Sequence, residues 1–154
     1  MSALFSTFQL KDVSLRNRIA VASMCQYQAQ DGIVNDWHFT HYSSLGRGGS
    51  GLVIVEATAV SPEGRITPGC TGLWKDEQTE GMAKVAALIK AAGAVPGIQI
   101  GQAARQVPIF PGKATIISQQ AIRVDGRPLH HLPLPLAAAF RRCLKRCRFP
   151  TSTA

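Results

Sequence analysis

Cysteine is scarce in this chain of 154 residues: Cys25, Cys70, Cys143 and Cys147 are all there is, with no CxxC pair among them. That argues against a disulfide-stapled secreted scaffold, and the CxxxC spacing of Cys143 and Cys147 misses the common zinc and thiol-redox motifs. Long apolar runs are lacking too, so no stretch reads as a membrane span of about 20 residues. No secretory pattern is read, and a reducing, cytoplasmic setting without membrane contact is the expectation. Acidic residues nearly vanish after the first two thirds: residues 106–154 hold eight Lys/Arg against Asp125 alone, a balance of +7. Residues 1–105 hold nine Lys/Arg and eight Asp/Glu, a balance of +1, so the formal charge of +8 belongs to the tail and says little about the rest.

What is present is a regular alternation. The piece "FQLKDVSLRNRIAVASM" reads as short polar and apolar alternation followed by an apolar strand, Ile19 to Met24. A continuous apolar run suits a strand covered on both faces, as in a parallel sheet. "NDWHFTHYSSLGRGG" has Asn35 or Asp36 as an N-cap and closing glycines, which predicts a helix over 37–46. "GLVIVEATAV", Gly51 to Val60, is a second strand. Asp76 is placed to cap a second helix, with Glu77 and Glu80 in its first turn, apolar residues from Met82 to Ile89 at helical spacing, and Gly93 as its stop. "AVPGIQI", Ala94 to Ile100, is a third strand. This order is the rhythm of parallel α/β architecture, either a doubly wound sheet or a (β/α)8 barrel.

From about Gln106 the composition changes to proline, paired histidines and arginines, without a sustained period of 2 or 3.6 apart from a short helical pattern around Leu136–Cys147. The domain reading is therefore residues 1–105 as an α/β unit and 106–154 as a basic, irregular, Pro/Arg-rich tail, disordered or read out of frame. Three strands alone would leave a hydrophobic edge unpaired. A nucleic-acid role for Arg141, Arg142, Lys145, Arg146 and Arg148 is the weaker reading, since a short basic run carries no recognition module.

Several motifs resolve into ordinary structure. "GRGGSG" fits GxGxxG literally through Gly46, Gly48 and Gly51, but it follows a helix and precedes a strand, the reverse of a dinucleotide loop. It is read as a helix stop. His38 and His41 share a helix without acidic or cysteine partners at matching distance, and His130 and His131 with Cys143 and Cys147 match no common zinc finger. No metal is expected.

The strand exits "SMCQY", "EATAV" and "QIGQAAR" carry the functional interest, because active sites of parallel α/β folds lie at the C-terminal ends of the strands. Cys25, Ala57 and Gln99 fall at three successive exits and would converge on one mouth. A thiol, a small residue and a long amide suit a flat heteroaromatic ligand. A lone buried cysteine, by itself, is more often plain packing.

The stretches "LFSTFQLKDVSLRNRIAVASMCQY", "GGSGLVIVEATAVSPEGRITPGCTGLWKDEQ" and "AAGAVPGIQI" resemble, in order, the N-terminal part of the old yellow enzyme family of flavin-dependent ene-reductases, in the branch of xenobiotic reductases and bacterial NADPH dehydrogenases. The resemblance implies part of a (β/α)8 TIM barrel, an N-terminal hairpin plus about three βα units, with FMN at the mouth. It implies an NADPH dehydrogenase type of oxidoreductase in which NADPH (or NADH) reduces FMN and the flavin reduces a small activated alkene. Ser23, Met24 and Cys25 would run beside the flavin, Ala57 would lie against its ring, Gln99 would hydrogen-bond its pyrimidine side, and Tyr27 would line the substrate pocket. The chain departs from the family pattern at Ser23, where proline is usual, and in "QIGQAAR", where Gln102 and Ala104 replace histidine and glycine while Arg105 is kept. The family's later histidine, tyrosine and phosphate-binding arginine positions have no counterpart. A truncated form with little or no turnover is expected, with a non-catalytic partial barrel acting through its exposed edge, or assembling as a homo-oligomer, as the alternative.

Overall fold

In the computed structural model, which describes residues 2–11, 13–104 and 117–123, the alternating pattern becomes strand, helix, strand, helix, strand. A single 3-10 turn, Ala3–Phe5, leads into an antiparallel hairpin of β1 (Phe8–Leu10) and β2 (Val13–Leu15), the expected N-terminal hairpin. A four-stranded sheet follows in the order β3 (Ala20–Val21), β4 (Leu52–Ala59), β5 (Val95–Ala104), β6 (Ile117–Arg123). The pairs β3/β4 and β4/β5 are parallel. The crossovers are α1 (Asp36–Arg47) and α2 (Asp76–Ala91), which pack on β4 and β5 respectively and against each other. Both crossovers step the same way along the sheet, and right-handed connections then put both helices on one face.

The core forms where that face meets the helices. Six of the eight residues of β4 are buried, and Val53, Val85, Ile89 and Ile100 are fully enclosed. Burying side chains of this size contributes roughly 1.5–3 kcal/mol each before the entropy of ordering is set against it. Asn35 caps α1, its side chain accepting from the Trp37 amide, while His38 Nδ1 accepts from the Asn35 amide at 3.2 Å. His38 is thus a capping-box residue inside the fold, and among the described residues no cluster of metal-ligating side chains is found.

The glycines of "GRGGSG" stop α1 as expected. Gly51 is needed there for closeness, since a Cβ on it would stand 2.5 Å from the Asn17 carbonyl oxygen. Gly93 follows the second helix with φ +79, the left-handed stop that glycine accepts most readily. Arg16 ties the hairpin to the bottom of the sheet: its guanidinium donates to the carbonyls of Ser50 at 3.0 Å, Ala92 at 3.2 Å and Gly46 at 2.6 Å. A cation is favoured beside the carbonyls at the C-terminal ends of two helices.

Four expectations are corrected. The first strand pairs only over Ala20–Val21, because the chain leaves the ladder after Val21 and the amide of Gln26 bonds the side chain of Glu56 instead. It is also an edge strand, with Ala20 exposed, so its apolar character does not reflect cover on both faces. The second helix begins at Asp76, with Lys75 at its N-cap; Gln78 Oε1 reaches back to accept from the amides just ahead of the helix, Trp74 at 2.8 Å and Lys75 at 3.0 Å. The edge of β5 is not open. Strand β6, from the stretch expected to be irregular, lies antiparallel along it from Ile98↔Arg123 to Ala104↔Ile117. An apolar edge with unmet backbone groups accepts a strand that supplies them, and the β-branched residues of "ISQQAIR" are compatible with that geometry. His130, His131, Cys143, Cys147 and the arginine cluster lie outside the described residues.

Candidate functional site

The exits of β3, β4 and β5 meet as the topology demands. Between Val55↔Ile98 and Thr58↔Ile100 the ladder shifts register, so Glu56 and Ala57 together face the single residue Gln99. Two residues against one is a β-bulge, a device that re-aims side chains at the rim of a barrel. It sets Ala57 beside Gln99, both half-buried.

Cys25 arrives from the loop after β3. Its half-buried thiol is raised above the ordinary cysteine range, first by burial; a hydrogen bond with the Ala57 backbone opposes this, Glu56 and Cys70 push further up, and the Tyr27 side chain hydrogen-bonds it. The Tyr27 phenol is raised in turn, chiefly by the thiol. A thiol held protonated in this way is a weak hydrogen-bond donor and a poor nucleophile. The structure therefore joins Cys25, Ala57 and Tyr27 directly and Gln99 through the bulge, with Ser23 and Met24 leading into the thiol.

The open side of this wall has the character of a ligand face. Met24 is 50% and Tyr27 48% exposed, while Ser23 Oγ is buried with no hydrogen-bond partner among the described residues. A small recess at the same end is lined by Ala57, Arg65, Ile66, Cys70 and Gly101. Apolar and aromatic surface beside an unmet hydroxyl fits a flat heteroaromatic group with a polar edge.

A profile of the NADH:flavin oxidoreductase / NADH oxidase family matches residues 3–121. This chain belongs to that family. Among curated relatives, an NADPH dehydrogenase of Listeria monocytogenes is 46% identical over 129 residues, 82% of this chain and 37% of the relative. An NADPH dehydrogenase of Bacillus pumilus is 46% identical over 108 residues, 69% of this chain and 32% of the relative. The chain thus spans about a third of the length of these two relatives. Of solved structures, morphinone reductase superposes with a TM-score of 0.59 at 31% identity, over 64% of this chain and 26% of that one. The old yellow enzyme homologue of Zymomonas mobilis does so with a TM-score of 0.59 at 27% identity, over 64% and 28%. The old yellow enzyme resemblance and the partial-barrel fold read from the sequence are borne out.

Two residues of this region were missed by sequence reasoning. Glu56, the acid inside "LVIVEATA", is fully buried and bonds the loop carrying Cys25. Tyr42, from the middle of α1, donates its phenol hydrogen to Glu56 Oε1 at 3.1 Å and accepts the Glu56 amide at 3.0 Å. The available signal was the acid itself, a charge in an otherwise apolar strand that needs a buried partner.

Proposed function

We propose that this chain forms the thiol-bearing wall of an FMN site in an NADPH dehydrogenase-type flavin oxidoreductase, cytoplasmic in setting. The observation that supports it is the meeting of Cys25, Ala57 and Tyr27 at one strand end, with Ala57 opposed to Gln99 across the bulge. FMN bound there supplies two-electron hydride chemistry, with NADPH (or NADH) as donor and a small activated alkene as acceptor. Cys25 offers a weak S–H donor beside the ring, tuning its electronics. Ala57, lacking bulk, permits close approach, Gln99 supplies an amide donor and acceptor for a heterocycle edge, and Ser23 offers its unmet hydroxyl. Met24 and Tyr27 add apolar surface, Tyr27 on the substrate side.

These residues make one wall. Three parallel strands hold a flavin from one side, and hydride transfer requires the reacting atoms to be held rigidly. The chain by itself is therefore proposed to bind FMN weakly and to turn over little or not at all, with residues 1–105 as the flavin-facing unit. Titrating the purified full chain into FMN and following flavin fluorescence tests this. Quenching that weakens in C25A and Q99A is the expected result. Quenching equal in both variants, or absent in the unmodified chain, would overturn the assignment.

A further inference from the structure

Glu56 lies in the bulge of β4, fully buried, and among the described residues no lysine or arginine pairs with it. Everything that meets its carboxyl is a neutral donor. The Gln26 amide reaches Oε2 at 3.0 Å, the Tyr27 amide adds a second backbone hydrogen bond, and the Tyr42 phenol reaches Oε1 at 3.1 Å. His38 Nε2 stands 3.5 Å from Oε1, while Nδ1 lies 3.2 Å from the Asn35 amide nitrogen and 3.0 Å from Asn35 Oδ1. Burial holds His38 below the ordinary histidine range, so the contact is with a neutral ring and not an ion pair.

The Gln26 amide aimed at this buried carboxyl ties the loop to β4. Winding the backbone toward it has a cost visible at Tyr27, whose φ of 57 is a left-handed conformation rare for a bulky side chain. The far side of the turn is held as tightly: Ala29 donates to the Gly69 carbonyl at 2.9 Å, and a Cβ on Gly69 would stand 2.3 Å from the Tyr27 oxygen. A strained turn persists only where its surroundings over-determine it, and Glu56 is the polar half of that constraint.

We infer that Glu56 is a positioning residue: its buried carboxyl is the internal anchor on which the Gln26–Tyr27 turn is wound, and it thereby fixes where Cys25 and Tyr27 face the cofactor. The last clause rests on the flavin reading above; the anchoring itself does not. It acts through backbone amides and touches no reacting atom.

The test uses the full chain, unmodified and as E56Q, with two readouts that need no flavin. Amide hydrogen exchange at Gln26 and Tyr27 is expected to quicken at least tenfold in E56Q while the amides of α2 hold their rates. Alkylation of Cys25, separated from the other cysteines by peptide mass mapping, is expected to show a lowered pH midpoint, because a like charge beside the thiol is gone. Loosening that exposes the thiol lowers that midpoint as well, so the discriminating readout is the confinement of faster exchange to the Gln26–Tyr27 turn. Should E56Q fail to fold, the unmodified chain gives the same test. Protection of the Gln26 and Tyr27 amides is expected to fall as Glu56 is protonated, and protection independent of pH would overturn the anchoring. Unchanged exchange and an unchanged midpoint in a folded E56Q would also overturn it. FMN titration separates the two readings: no quenching in the unmodified chain removes the flavin reading and the cofactor clause, whereas quenching identical in E56Q removes the clause alone.

Discussion

Replacing Tyr42 with phenylalanine removes one oxygen from the centre of the molecule and keeps the ring that fills the space between α1 and β4. The phenol is 2% exposed, and burial together with the neighbouring Glu56 pushes its ionisation far above the ordinary tyrosine range, so it remains a donor at any working pH. Y42F leaves the Glu56 amide without its acceptor and the carboxyl without one of its donors. An unmet buried donor costs about 1–3 kcal/mol and a lost hydrogen bond to a charged group about 1.5–3 kcal/mol; with the two losses overlapping, the expectation is about 2–4 kcal/mol. Urea unfolding followed by tryptophan fluorescence reads this as a midpoint lowered by about 1–2 M at unchanged slope. The penalty must also depend on pH. Tyr42 holds the carboxyl down against burial, so its loss matters most where Glu56 is ionised: a larger penalty is expected at about pH 8 than at about pH 4. A midpoint within about 0.3 M of the unmodified chain, or a penalty equal at both pH values, would refute the reasoning.

Further outcomes follow from the same geometry. Gly69→Ala pushes a methyl group against the Tyr27 carbonyl, 2.3 Å away in the present backbone, and is expected to cost on the order of 1–3 kcal/mol and to speed alkylation of Cys25; an unaltered alkylation rate would count against the turn as the holder of the thiol. Arg16→Ala frees three carbonyls at the ends of α1, α2 and the turn before β4, with an expected loss of about 1–2 kcal/mol read as a lower Tm; lysine, unable to fork, is expected to restore less than half of it. His38→Gln keeps a capping-box acceptor for the Asn35 amide while removing a buried titrating ring. His38 is held below its ordinary range by burial and by His41, so its contribution to stability is present above about pH 6.5 and is lost as pH falls through the folded value. H38Q is therefore expected to flatten the acid limb of the urea midpoint against pH, and an acid limb of unchanged slope would contradict it. Glu56 runs the opposite way: raised by burial, its contribution is present below the ordinary carboxylate range and lost as pH rises through the folded value, so E56Q is expected to steepen the same limb.

How far the sequence could be read depended on whether a feature was local. Asn35 before an amphipathic stretch, valines bounded by glycine, and Gly93 after Ile89 each act within a few residues, and the helices and central strands fell where those signals stand. The end of β3 was not local. "RIAVASM" looks like one strand throughout, yet its ladder ends at Val21, and a few residues on the Gln26 amide is taken by a carboxyl thirty positions later. The same holds for β6, whose placement depends on the edge that β5 offers and not on any pattern within residues 106–154.

The candidate site shows the same division. That Cys25, Ala57 and Gln99 would share one end of the sheet was legible from strand order, since parallel strands deliver their C-termini to one side. That Ala57 would sit in a bulge opposite Gln99 was not, because a register shift depends on the partner strand. Nor was the role of Glu56 legible. A glutamate in a valine-rich strand reads as an outward-facing polar residue, and only the folded arrangement shows it buried against the loop after β3 on one side and the phenol and imidazole of α1 on the other. The consequence is physical: thiol and phenol on one short loop are held in place by a group on the neighbouring strand. A comparison of Cys25 across related chains is therefore incomplete without the acid that holds its loop.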